Sequence, residues 1–548
     1  MASGKLPLLI GSSLIESLAI ITFLPQYLPA NPLVWTLSRV LAVNSGILLV
    51  YLIFIYPFYI SPLRHLPSPG NGIPIIGLGA AMFKRPPGQD FLNWVTNVPN
   101  DGLILFRGLF HRNILLLTNP RTIGEVLVTK SYEFQKPTKV RNFLRRILGD
   151  GLIIVEGDEH RFQRKHIMPV FSFRNIKELY PMIWGKSVAL TQALKAELEH
   201  GKSASTGELE LNHWANNVTM DIIGVAGLGR DFNALKNSDD PLIQNYEEIL
   251  EPTAEKVAFF ACQIILPQWF IEMLPWGLNE RVKVTTTNLT NICLQLVRDK
   301  REAIKMGGEE HFDILSILIK SDNFSDKQLV DQLLTFLAAG HETTSSTFTW
   351  TAFLLAKYPH IQTRLREEVR AYLPADPSNE PNLAQILESM PLLNGVCNET
   401  LRLYPTVPIT VRAAVRDTTV MDLPVPKDTE LVLCPWAVNR SPHLWGKNAS
   451  EFVPERWIDF DAGAEKEGRP NNTGGAKSNY AQLTFLHGPR SCIGQNFAKA
   501  ELRALTAALV GAFEWTLANQ SENVIPGGVI TTKPQNGMHL KLKPIADW

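Results

Sequence analysis

The residues best placed for chemistry lie in the stretch Phe485-Leu486-His487-Gly488-Pro489-Arg490-Ser491-Cys492-Ile493-Gly494, which runs straight into a helix-forming segment from Gln495 to Phe513. A lone cysteine is most often a small buried hydrophobe. This one sits where a thiolate ligand would sit. Two glycines let the backbone pass close to a flat ring, backbone N–H groups are available as donors, and a helix starting at the cysteine points its N-terminal dipole at the sulfur. We read Cys492 as the axial ligand of a haem iron and Arg490 as a partner for a haem propionate.

Phe485, Gly488, Arg490, Cys492 and Gly494 match, at every spacing, the haem-ligand signature of the cytochrome P-450 family, and the chain resembles that family over about residues 62 to 546. Three further motifs stand in the family's order. The first is Ala338-Ala339-Gly340-His341-Glu342-Thr343-Thr344. It lies within a helical pattern that a Ser325/Gln328 capping box opens and Tyr358-Pro359 closes. Glycine and consecutive threonines are poor choices inside a helix, so a groove is expected there. The resemblance makes it the place where dioxygen sits above the iron, lined by Ala339 and Gly340, with Thr343 and Glu342 as the catalytic pair that delivers protons.

The second motif is Glu399-Thr-Leu-Arg402 and the third is Phe452-Val-Pro454-Glu455-Arg456-Trp457. A lone acid and arginine three apart on a helix is normally a surface pair of little worth. The resemblance turns Glu399, Arg402 and Arg456 into a buried structural network supporting the ligand loop. It also implies propionate partners at Arg164, at His160 (where the family usually has Trp) and at Arg412. Val407, Ile409, Val529 and Ile530, with Ala339, are expected at the substrate pocket. The hairpin Pro526 to Thr532 is expected to close it.

Around these motifs the expected fold class is predominantly α with small β-sheets, the cytochrome P-450 fold, preceded by an N-terminal transmembrane helix. Val40 to Ile60 holds no formal charge, and its 21 residues suffice to cross a hydrocarbon core of roughly 30 Å. The organisation read from the sequence is an apolar lead over 1–39, which forms a possible extra span despite Glu16. A transmembrane helix follows over 40–60, then a proline-rich hinge over 61–70 and a catalytic domain over 71–548. Leu103–Phe106 and Asn113–Thr118 read as strands, and 461–479 as a solvated loop. Val257 to Trp276 is apolar but broken by Pro267 and Pro275, so it is not a span. In the family this place forms a lid that dips into the membrane.

Lys plus Arg and Asp plus Glu are equal at 53 each, which argues against a nucleic-acid partner. The five cysteines (262, 293, 397, 434 and 492) form no CxxC pair, which argues for a reducing compartment and against a zinc site. The activity implied is a haem-thiolate monooxygenase using haem b. It inserts one oxygen atom from O2 into an apolar small molecule such as a terpenoid, polyketide or indole in specialised metabolism. No flavin or nicotinamide domain is recognisable, so electrons are expected from NADPH through a separate P-450 reductase in the endoplasmic reticulum membrane, with the catalytic domain facing the cytoplasm. Arg161, Lys165, Lys499 and Arg503 are candidates to meet it. The alternatives are a fatty-acid or lipid hydroxylase, a reductase-independent peroxide isomerase and a non-catalytic haem sensor. Some fatty-acid hydroxylases carry an acid esterified to haem where this chain has Ala339, which weakens the first. The acid–threonine pair argues against the second.

Overall fold

The computed structural model describes residues 2–27, 29, 32–70, 72–201, 203–236, 240–250, 253–266, 268–307, 313–373, 382–460, 468–521, 523–528, 531–546 and 548. It divides into two compact units. The first comprises Met1–Lys84, Asn93–Gln135 and Val411–Leu433, and the second Arg85–Leu92, Lys136–Thr410 and Cys434–Trp548.

The first unit begins with two apolar helices. Leu6–Phe23 and Pro32–Ile60 are each long and apolar enough to cross a membrane. The second begins ahead of the charge-free stretch and includes Arg39, so it is longer than the expected 40–60. Glu16, which weakens the first helix by sequence, has a partner: Asn44 Nδ2 donates to its Oε2 at 2.8 Å and to Ser13 Oγ at 3.1 Å. Around Pro57, which has no N–H to donate, the second helix widens into looser turns over Tyr51–Ile60. The proline segment that follows is fastened down. Ser61 Oγ accepts from Leu63 N and from Asn113 Nδ2, and Pro67 O accepts from Leu105 N at 2.8 Å.

Both expected strands are present. Leu103–Arg107 pairs antiparallel with Asn113–Leu117, which pairs parallel with Glu430–Leu433. Thr410–Ala414 and Phe134–Gln135 complete the sheet of five. Ile114–Leu117 and Leu431–Leu433 within it are continuously buried apolar runs.

The second unit is mainly helical. Its central element is Asp326–Lys357, 32 residues opened by the Ser325/Gln328 capping box in both its bonds. Leu211–Ile223 crosses it closely, because Gly340 leaves room: a Cβ there would lie 2.7 Å from Ile223 Cγ1. Gly340 therefore serves a helix crossing. The helix after the ligand loop is Gln495–Ala512, and Phe173–His200 packs against it. The segment 257–276 is two short helices, Ala254–Ile265 and Gln268–Met273. The loop expected over 461–479 contains a short strand, Gly468–Pro470, paired with Ile458–Phe460; residues 461–467 lie outside the described residues.

Candidate active site

The ligand loop is held from inside. Cys492 N donates to Phe485 O at 2.8 Å and Ser491 N to Gly488 O at 3.0 Å, while Gly488 sits at φ +75°, a conformation that favours glycine. The helix starts at Gln495 with Gly494 as its cap, not at the cysteine, so the sulfur lies ahead of the first turn. The dipole reaches it through one bond, from the Gly494 N–H. A Cβ on Gly494 would meet only Phe171, at 3.9 Å.

Cys492 differs from the other cysteines. Cys293, Cys397 and Cys434 are buried, and burial pushes each thiol up to about 12. Cys492 is exposed by accessible area, yet enough protein surrounds it that desolvation still raises its thiol pKa, opposed by the Gly494 N–H and the charge of Arg164. The sulfur is thus desolvated by protein without being sealed in the core as the other three are. Phe485, Ile493, Phe171 and Ala338 line the partly open edge of the same hydrophobic core. The ring of Phe171 joins the two sides, lying 5.8 Å from that of Phe336 on the central helix.

The central helix breaks its burial at the expected place. Leu329 to Leu337 and Thr344 to Leu355 are continuously buried, whereas Ala338, Ala339, Gly340, Glu342 and Thr343 are partly open. Thr343 Oγ1 donates to Ala339 O at 2.7 Å. Glu342 Oε1 accepts from Thr531 Oγ1 at 2.9 Å and pairs with Lys533 Nζ at 3.0 Å. His341 is buried beside it, and burial lowers its pKa. An open patch on a buried helix, a desolvated sulfur and apolar edges between them fit a flat apolar macrocycle with an iron at its centre. Cys492 would be its protein ligand.

Two basic clusters brace the loop. Arg164 Nη1 donates to Ser491 O at 2.6 Å, and Arg490 pairs with the buried Glu156, which also accepts from Lys136 N at 2.9 Å. His160 lies buried among these groups. Burial first, then the charges of Arg490 and Lys136, lower its pKa to about 4, so at neutral pH it is an uncharged ring. Glu156 has no sequence signal beyond its proximity to His160.

The acid–arginine network is buried at Glu399 and Arg402 and nearly so at Arg456. Glu399 accepts from Arg402 Nε and Nη2 at 2.8 and 2.7 Å, from Arg456 Nε at 3.2 Å, from Val453 N at 3.0 Å and from Trp457 Nε1 at 2.9 Å. Arg402 Nη1 donates onward to Asn439 O and Ala449 O. Asn439 takes the Leu483 N–H at 2.8 Å and bonds Thr484, the residue before Phe485. That chain of bonds carries the network to the foot of the ligand loop.

Of the remaining expected residues, Arg412 is buried on Thr410–Ala414 in the first unit, with Nη1 donating to Val411 O. Val407 is exposed and Ile409 half-buried; Val529 and Ile530 lie outside the described residues. Arg503 and Lys499 are half-buried. Arg503 bonds Asn394 Oδ1 at 2.6 Å and Tyr180 Oη at 3.2 Å, and burial brings Lys499, over the ring of Phe485, down to about 8. Arg161 and Lys165 remain exposed, alongside Phe162, Met168, Phe173, Arg174 and Lys177.

The family model for Cytochrome P450 matches residues 67–540. Cytochrome P450 monooxygenase sphH of Aspergillus fumigatus is 39% identical over 505 residues, 91% of this chain and 92% of the relative. Cytochrome P450 monooxygenase ptmK of Penicillium ochrochloron is 39% identical over 504 residues, covering 92% and 98%. Cytochrome P450 monooxygenase ALT8 of Alternaria alternata is 36% identical over 559 residues, covering 92% and 93%. Alignment of this extent, end to end with fungal monooxygenases and over the segments that build the ligand loop and the opened helix, makes the chain a member of the cytochrome P450 monooxygenase family.

Proposed function

We propose that the protein hydroxylates an apolar specialised metabolite of terpenoid, polyketide or indole type, with haem b held by Cys492. The ligand-loop cysteine and the opened patch on the central helix, both at the partly open edge of one hydrophobic core, carry this reading. Bound haem supplies the activation of dioxygen. The protein supplies the rest. Cys492 would donate charge to the metal, Gly494 N–H and Arg164 steady the sulfur, and Arg164, Arg490 and His160 are the side chains for the propionates. Ala338, Ala339 and Phe485 exclude water, Thr343 holds a proton at its hydroxyl and Glu342 relays one to it. Ala339 cannot form an ester to haem, which supports a specialised metabolite over a dedicated fatty-acid substrate.

The test is spectroscopic. Full-length protein should give the reduced carbon-monoxide Soret band of a thiolate-ligated haem, and Cys492→Ala should abolish it. Retention of the thiolate band in that variant would refute the assignment. A Soret shift to high spin on addition of a sesquiterpene, a polyketide lactone, an indole or dodecanoic acid identifies the substrate class. A response to dodecanoic acid alone would replace the specialised-metabolite reading with lipid hydroxylation.

Electrons come, on this reading, from an NADPH-dependent reductase in the endoplasmic reticulum membrane, with the catalytic domain on the cytoplasmic face. Two apolar N-terminal helices suit anchoring, and exposed Trp269, Phe270 and Met273 suit contact with lipid. The reductase would dock on the basic and apolar surface running from Arg161 to Lys177. Lys165→Glu should slow reductase-supported turnover severalfold at low salt and less at high salt, while the inward-turned Lys499→Met should not share that salt dependence. Equal salt profiles would remove this surface from consideration.

A further inference from the structure

Glu342 has partners that no sequence motif announces, and both come from one short segment, Thr531 to Lys533. Thr531 and Lys533 each reach its Oε1, while the residue between them is fixed to the same helix. Thr532 O accepts from Ser346 Oγ and from Trp350 Nε1 at 3.1 Å, and Thr532 N donates to Thr406 O at 2.8 Å. Lys533–Pro534 pairs in turn with Pro526–Gly527. Three consecutive residues of this hairpin are thus attached to the central helix from Glu342 to Trp350. The Lys533 and Glu342 side chains are 19% and 13% exposed, so the ion pair is shielded well beyond a surface pair.

A glutamate side chain has three freely rotating bonds, and a carboxylate that must hand a proton to a neighbour works only from one place. We propose that Lys533 is a positioning residue for proton delivery, holding the Glu342 carboxylate beside Thr343 so that residues 531–533 and the distal acid form one mechanical unit. This rests on the reading of Glu342 and Thr343 as the proton-handling pair. Three groups face Glu342: Lys533 and Thr531 from the hairpin, and His341 from its own helix. Of these only Lys533 brings a full positive charge at neutral pH, because burial holds His341 uncharged. Strain at the hairpin would therefore alter the position of the acid, and substrate fit would feed into how well oxygen chemistry is coupled to product.

The experiment uses full-length protein with Lys533→Met, Lys533→Arg, Glu342→Gln and the Lys533→Met/Glu342→Gln double variant. Deuterium exchange of the amides of residues 531–535 needs no turnover. It should quicken about tenfold in Lys533→Met and Glu342→Gln, stay near wild type in Lys533→Arg, and quicken no further in the double variant. With the compound giving the largest high-spin shift among a sesquiterpene, a polyketide lactone, an indole and dodecanoic acid, the share of NADPH recovered as product should fall at least threefold in Lys533→Met. The balance should appear as hydrogen peroxide, and Lys533→Arg should restore the product share. Faster exchange with an unchanged product share would reduce Lys533 to a structural tie and overturn the proposal, as would unchanged exchange. If Glu342→Gln loses product while Lys533→Met keeps it, the proposal alone fails. If Glu342→Gln keeps its product share, the proton-handling reading fails and the proposal falls with it.

Discussion

Glu399 and Glu342 are both carboxylates on helices of the same unit, and their surroundings treat them in opposite ways. Glu399 is wholly buried and takes hydrogen bonds from two arginines, a tryptophan and a backbone amide. Every lone pair is used, so it has no capacity left for chemistry. Glu342 is partly open, is held at one oxygen by Thr531 and Lys533, and stands next to a threonine on the opened patch of its helix. A saturated carboxylate holds the fold together, and an unsaturated one at an edge is free to exchange a proton. ExxR and the acid–threonine motif look alike in sequence as acids on helices. Their side-chain partners separate them.

The sharpest way to break the comparison is to neutralise each acid without changing its size. Glu399→Gln leaves Arg402 and Arg456 buried without a counter-charge and should cost about 3–5 kcal/mol, so that little folded, haem-loaded protein is recovered. Glu342→Gln should cost less, about 1–2 kcal/mol, because the amide keeps an oxygen to accept from Thr531 and loses only the charge pairing with Lys533. It should lower product formation about 10²-fold, the lower end for loss of a positioned acid–base group. Thermal unfolding and turnover measured side by side decide the matter. If both substitutions unfold the protein, or neither touches turnover, the two acids do not divide fold from chemistry.

The sequence carries one half of this contrast better than the other. The capping box, the long helix it opens, the strands at Leu103 and Asn113 and the break at Pro275 are local signals, set by hydrogen bonds and sterics within a few residues. They appear where expected. Cys492 and the acid–arginine network were legible because fixed spacing stands in for distant packing. Contacts between residues far apart were not. Lys533 lies far along the chain from Glu342, Glu156 far from Arg490, and neither pair has a spacing rule. Gly340 meets a second demand of the same kind: its missing side chain makes room for Ile223 on another helix, which no local pattern reveals. Arg503 and Lys499 look like surface charges until Tyr180, Asn394 and Phe485 are seen around them.

His160 supplies a third point on the same scale, a buried titratable ring with no charge to satisfy, and its effect is the smallest because it vanishes at pH 7. Its pKa is near 4 in the folded protein against an ordinary 6.5, so the unfolded chain takes up a proton first as pH falls. The sign follows directly: stability is complete above pH 6.5 and declines through the window from 6.5 to 4, by at most on the order of 3 kcal/mol from this residue. His160→Asn, neutral throughout, should flatten that part of the acid limb and leave stability at pH 7 within about 1 kcal/mol of wild type. The neighbouring cations Arg490, Lys136 and Arg164 reinforce the shift and Glu156 opposes it. Glu156→Gln should therefore steepen the same limb while weakening the hold on Arg490. Denaturation midpoints of wild type and His160→Asn at pH 7, 6, 5 and 4 test this directly. Parallel curves for the two would mean that the ring is already charged in the folded state, and the buried cluster behind the ligand loop would have to hold one more positive charge than the geometry allows.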